Sequence, residues 1–409
     1  MKVTFVALNY APSRGGAQEL VRRVAEQLVA RGHEVDVITT DALRSPGARE
    51  PGRIELHHEV ISGVSVHRYG VPRLVGSALR GMRLGVGSAG RLLRRPPRGT
   101  SPWLYGPWSP GLLRALHRAL RTSDVVVGCT APFLTLVAAS WFGRGATAHR
   151  VALPLLHVSE AHPHPAASRA LQRFDRAVLL TEFERGVAVD LGVPAAHAVV
   201  IPAGCDPASY PDQTPAEARS ALGLPERPTV GFIGRLAGYK GIDTLLDAAQ
   251  LLWKERPDTT VLLAGNPTGW DGYRSPALTE VAGDRLVVRE RFADDERAAL
   301  LAACDVVAHP SREESFGMVA VEAWAARRPI VVADIPAVRD VIEPGRTGDL
   351  VAPGDAVGLA EVLGTLLDHP EQRASQGAAG RALVEERYGW DRIGDAWDQL
   401  LGSLVDGRR

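Results

Sequence analysis

Apolar positions change period twice within the first forty residues. Residues 3–8 form a short apolar run that reads as a strand, and 9–16 are turn-rich. Residues 18–30 then place Leu20, Val24, Leu28 and Val29 at helical spacing. Gly32 suits the end of that helix and 34–39 are again strand-like, so the chain opens as a β–α–β unit. Further strand-like runs fall at 63–69, 125–127, 148–153, 177–180 and 198–201, with helical segments between them. Residues 202–228 are proline-rich around a short helix at 216–222 and read as a linker. A second alternation follows, with strands at 229–233, 260–264, 286–289, 305–308 and 330–333. Its helices are expected at 242–255 and 294–303, after 311–315, and twice more beyond 333. This order predicts an α/β protein with two parallel, doubly wound domains, binding ligand in a cleft between their strand carboxyl ends.

The stretch from 305 to 326 is the most informative. The strand ends at Pro310, and Phe316, Val319, Ala320 and Ala323 then recur at i, i+3, i+4 and i+7 of a helix. Ser315 suits the cap before it, and Gly317 lets another group approach the first-turn backbone. The unpaired amides of such a turn favour an anion. Glu314 and Glu322 stand eight positions apart, roughly 10–12 Å along a helix axis. That span matches a nucleotide-sugar, with phosphates on the amides and hydroxyls on the acids. The spacing alone fits a surface helix with solvated glutamates equally well.

Composition narrows the picture. A chain of 409 residues with 45% apolar content supports two cores. Cys129, Cys205 and Cys304 have no paired spacing, which argues against a disulfide framework or zinc site and for a reducing compartment. Neither a signal peptide nor a run long enough to span a bilayer is visible, so a cytoplasmic location is expected. Residues 1–200 carry 25 Lys+Arg against 14 Asp+Glu, and residues 201–409 carry 22 against 33. No acidic residue stands between Glu59 and Asp124, while arginines recur from Arg68 to Arg121. That stretch, 68–121, fits a patch for an anionic membrane surface or a phosphorylated acceptor, or else a solvated insertion. Nothing in it points to nucleic acid. A literal G-x-G-x-x-G at 85–90 lacks a preceding strand and a following acid, so it is not read as a cofactor loop. His157, His162 and His164 are broken by prolines and lack a helical i, i+4 register, so no metal is expected.

Taken in order, the motifs resemble glycosyltransferase family 4, whose members have the two-domain GT-B fold. The pieces are Pro12-Ser-Arg-Gly-Gly16, Arg31-Gly-His-Glu-Val35, Ile201-Pro-Ala-Gly-Cys-Asp206 and the loop 234–241 with Arg235 and Lys240. Glu314 with Ser315-Phe316-Gly317, Glu322, Pro329-Ile-Val-Val and Gly345-x-x-Gly348 complete the set. The resemblance implies an acceptor-side domain over 1–203, a linker over 204–228 and a donor domain over 229–385. A closing helix within 386–409 would return to the first domain. It further implies transfer of a hexose-type sugar from a UDP- or GDP-sugar to an acceptor hydroxyl, with retention and without a cofactor or catalytic metal.

In that reading Arg235 and Lys240 hold the diphosphate together with Gly16, Phe316 and Gly317. Glu322 takes the ribose, while Glu314 and Ser315 take the donor sugar. His157 and Glu314 are the catalytic candidates, and Gly15 and Glu160 are weaker ones on the acceptor or sugar side. Base contacts are expected from the loop after 286–289 and from near Glu296. One departure stands out: Arg327-Arg328 replace the glycine that usually ends the helix after Glu322, which predicts a reshaped turn. Two other readings remain: an isomerase resembling nucleotide-sugar 2-epimerases, and a non-catalytic nucleotide-sugar or membrane-surface scaffold.

Overall fold

The structure is a computed structural model that describes residues 1–13, 15–43, 52–71, 106–141, 146–156, 165–268, 271–293 and 295–407. The chain divides into two compact units, Met1–Pro202 with Trp390–Arg409, and Ala203–Gly389.

The first unit is built on β1 (Lys2–Val6), β2 (Glu34–Thr40), β3 (His58–Ile61), β4 (Val64–Tyr69), β5 (Val125–Cys129), β6 (His149–Leu153), β7 (Arg176–Leu179) and β8 (Ala198–Val200). They form one sheet in the order β3-β4-β2-β1-β5-β6-β7-β8. Each run of two strands and a crossover helix is parallel, as the alternation dictates. The exception is β3, which pairs antiparallel with β4. Its half-exposed sequence carries little apolar signal, and the hairpin rests on Ser62 and Gly63, both left-handed at φ 49° and 81°.

The helix Gly16–Ala30 buries Leu20, Val21, Val24, Ala25 and Leu28. Against it lies the helix Trp390–Asp406, whose Trp397 meets Phe5 with ring centroids 6.2 Å apart. Arg31 pairs with Asp395 and His33 contacts Asp398, which fixes the register of that return.

The second unit carries β9 (Thr229–Ile233), β10 (Thr260–Gly265), β11 (Leu286–Glu290), β12 (Val306–His309), β13 (Ile330–Ala333) and β14 (Gly348–Val351). Their order is β11-β10-β9-β12-β13-β14, parallel throughout. Residues 203–228 belong to this unit. Arg219, on the helix Pro215–Leu222, is buried against Asp305 at 2.9 Å, and the Cys205 amide donates to the Tyr388 carbonyl.

The helix Met318–Ala325 corrects the expectation at Arg327. Its end is not reshaped: Arg327 itself adopts the left-handed conformation, at φ 57°. The Arg327 amide donates to Trp324 O and the Arg328 amide to Ala323 O, the paired closure normally made with glycine. Helix geometry prevails over the side-chain preference at this position.

Candidate functional site

In a doubly wound sheet, chemistry collects where strands end and helices begin. In the second unit that edge holds the loop after β9, the loop after β12 and the first turn of Met318–Ala325. Two close backbone approaches fix the first of these loops. A Cβ on Gly265 would stand 1.6 Å from Gly234 O, and one on Gly241 would stand 1.9 Å from Pro310 O. Gly241, at φ 69°, also begins the helix Ile242–Glu255. Arg312 stitches the two loops together. Its guanidinium donates to Gly238 O and to Asp243, and its amide donates to Tyr239 O.

Glu314 is the centre of this edge. Its Oε1 receives Lys240 Nζ at 2.5 Å and His309 Nε2 at 2.7 Å. His309 ends β12 and is only 5% exposed; its ring stacks on Phe232 at 5.4 Å with planes 13° apart. Burial alone would push the Glu314 carboxyl up, but the His309 hydrogen bond and the Lys240 charge outweigh it and hold the group far below the usual carboxylate range. Burial also lowers the His309 imidazole, only partly offset by Glu314, so a neutral ring donates through Nε2. Its Nδ1 is buried and has no partner among the described residues. Oε1 of Glu314 is thus committed to protein groups, while Oε2 takes no hydrogen bond from a described residue.

Glu322 faces a different cation. Arg297 pairs with its Oε2 from the helix Glu296–Ala302. Tyr210 and Cys205 lie beside this acid; burial first, and then the Glu322 charge, raises both of their acidities' pKa values. Arg235 is exposed and pairs with no carboxylate among the described residues; its guanidinium lies 5.7 Å from the centroid of the Tyr239 ring.

Several expected positions take a different form. Ser315 is not the cap of its helix; Gly317, at φ 92°, stands in that place and the helix begins at Met318. Phe316 is buried, edge-on to Tyr388 at 5.7 Å, so only its backbone is free to serve a ligand. Glu296 turns back on its own helix, accepting from the Ala293 amide at 2.6 Å. Its neighbour Arg297 reaches Glu322 instead. Residues 234–241, 309–317 and 322 thus gather on one edge, whereas Gly15 and Gly16 begin the first helix of the other unit. His157, Glu160, His162, His164 and the 85–90 glycines lie outside the described residues. Arg68, the first arginine of the acid-free stretch, is buried against Glu59 and the Ala11 carbonyl, so it faces no membrane. Arg114, Arg118 and Arg121 on the helix Pro110–Thr122 are exposed.

Sequence reading missed His309, Arg312 and Arg297. His309 sits in a strand-ending triplet, Ala308-His309-Pro310, where a buried imidazole beside Glu314 could have been suspected. No local pattern announces the other two.

Sequence profiles described as glycosyl transferases group 1 and glycosyltransferase family 4 match residues 216–383 and 14–209. The chain belongs to glycosyltransferase family 4. A D-inositol 3-phosphate glycosyltransferase of Corynebacterium urealyticum is 36% identical over a region covering 46% of this chain and 46% of that protein. The chain therefore spans about half the length of that family 4 relative. A protein of the same name from Arthrobacter sp. is 27% identical over 100% of this chain and 97% of its own length. Among solved structures, Anabaena HepE in complex with UDP and glucose superposes with a TM-score of 0.73 at 22% identity, covering 98% of this chain and 100% of that one. The family 4 assignment and this likeness make the fold GT-B.

Proposed function

We propose that this family 4 member is a retaining glycosyltransferase that moves a hexose-type sugar from a UDP- or GDP-sugar to an acceptor hydroxyl. The observation carrying this reading is the paired commitment of the two acids. Each has one oxygen on a cation and the other free of described partners. Lone pairs are thereby left for sugar and ribose hydroxyls. The names of relatives and the UDP held by the HepE structure support a nucleotide-sugar donor for this chain.

Glu314 and the backbone of Ser315, Phe316 and Gly317 would hold the donor sugar and one phosphate, and Glu322 the ribose. Arg235, with the remaining N–H groups of Lys240, would offset the charge that develops as the C–O bond to the diphosphate breaks. These cations supply what a metal supplies in other transferases, so no catalytic metal is required. The acceptor oxygen forms the new bond to the anomeric carbon, and its proton leaves with the diphosphate. His157 is assigned to orienting the donor sugar or to that proton, with Gly15, Gly16 and Glu160 as weaker contributors on the acceptor side.

Among the described residues no helix is long and apolar enough to cross a membrane. Arg114, Arg118 and Arg121 fit a peripheral contact with an anionic surface at the cytoplasmic face. Binding to anionic but not neutral vesicles, lost in high salt, tests that part.

A thermal-shift panel of UDP-, GDP- and TDP-sugars tests the donor. A true donor at 100-fold excess over its Kd adds about 2.7 kcal/mol of stability; no shift with any of them overturns the reading. Release of nucleotide diphosphate only when an acceptor is present separates transfer from epimerisation.

A further inference from the structure

The donor site asks two carboxylates to stand beside a diphosphate that is itself strongly anionic. Like charges a few ångströms apart oppose binding unless each acid is neutralised in place. Lys240 does this for Glu314. Among the described residues, Glu322 ion-pairs with Arg297 alone, from the helix Glu296–Ala302, whose first residue, Glu296, is spent on its own first turn.

Resting on the donor reading above, we propose that Arg297 is a positioning residue for the nucleoside half of the donor. It holds the Glu322 carboxylate oriented so that the acid accepts from the ribose 2′- and 3′-hydroxyls. The planar guanidinium suits this task, because its donors lie in one fixed fork and it stays charged at every working pH. It occupies Oε2 through one nitrogen, while Oε1 takes no hydrogen bond from a described residue. The Glu322 side chain is only 12% exposed and that of Arg297 30%, so the pair is largely shielded from bulk water.

Cys205 and Tyr210 crowd the same acid without offering it a cation. Without Arg297, the Glu322 carboxylate would lose the contact that fixes its rotamer, and water would compete with ribose for it. Charge is the second contribution: removing Arg297 takes one positive charge from beside Glu322, on an edge that must hold a diphosphate.

The test is calorimetric binding of UDP and GDP, each beside its 2′,3′-dideoxy analogue, to the full chain and to Arg297→Gln and Arg297→Lys. Melting curves confirm that each variant is folded. In the parent chain the hydroxyls should favour the natural nucleotide about tenfold over the dideoxy one. Arg297→Gln should weaken the natural nucleotide at least tenfold and shrink that preference to twofold or less. Arg297→Lys keeps the charge without the fork, so it should restore overall affinity more than it restores the preference for ribose. An unchanged ribose preference in Arg297→Gln overturns the proposal, whatever happens to overall affinity. If the parent chain binds neither nucleotide, the donor reading fails first and this assignment with it.

Discussion

Lys240 and Glu314 form a buried ion pair, with Nζ 2.5 Å from Oε1 and each side chain 10% exposed. Removing one member strands the other. Lys240→Met should cost about 3–5 kcal/mol, the usual penalty for breaking a buried pair. Lys240→Met combined with Glu314→Gln should cost less than the single change. Urea unfolding of the three variants reads this directly.

The same pair sets an acid limit. The folded Glu314 carboxyl lies well below its ordinary value of 4.5. Its contribution to stability is therefore complete above pH 4.5 and lost as pH falls toward the folded value. Urea midpoints measured from pH 6 down to pH 3 should fall in the parent chain. Glu314→Gln should show a shallower decline.

Glu184 acts in the opposite sense. This fully buried acid accepts from the Leu156 and Leu180 amides, each at 2.5 Å, and burial raises it to about 7 despite those bonds. A raised carboxyl stabilises the fold below its unfolded value of 4.5, and that stability is lost as pH rises toward 7. The change is on the order of 3 kcal/mol. Glu184→Gln should flatten the stability profile between pH 4.5 and 7.

Arg327 offers a stabilising change. Glycine enters the left-handed region without the steric cost that a Cβ carries, so Arg327→Gly should raise stability by about 1 kcal/mol. The lost contact with Asp212, at 3.4 Å between two largely exposed groups, subtracts little. A higher melting temperature checks it.

Kinetics separate the two halves of the proposed chemistry. Glu322→Ala should raise the donor KM about tenfold or more with a smaller change in kcat, as expected when ground-state binding is lost. His157→Ala should lower kcat more than it raises the donor KM. Steady-state assays with the donor identified by thermal shift supply both numbers.

Much of this was legible in the chain. Strands with continuous apolar runs, such as β9 and β13, and the helix Ile242–Glu255 fall on the predicted residues, because burial on both faces leaves an uninterrupted signal. The antiparallel β3 was invisible, since an edge strand that alternates exposed positions has little to distinguish it from a loop. In the site, Glu314, Glu322, Arg235 and Lys240 could be named because the family order of motifs supplies them. What holds Glu322 could not be read, and His309 beside Glu314 was overlooked. Arg297 stands 25 residues from Glu322, and only the packing of two helices brings them together, whereas His309 meets Glu314 because the loop after β12 folds back on its strand end. Phe316 was legible in part: its apolar period placed the ring in the core, where it packs edge-on to Tyr388.

The return of Trp390–Asp406 to the helix Gly16–Ala30 has a consequence during synthesis. Domains commonly fold in the order they leave the ribosome, but here the opening unit lacks Trp397 against Phe5 until everything through Gly389 has emerged. The later-translated unit is the first that can be completed. A nascent chain stalled near residue 389 would carry a finished second unit and an apolar seam still waiting for its cover.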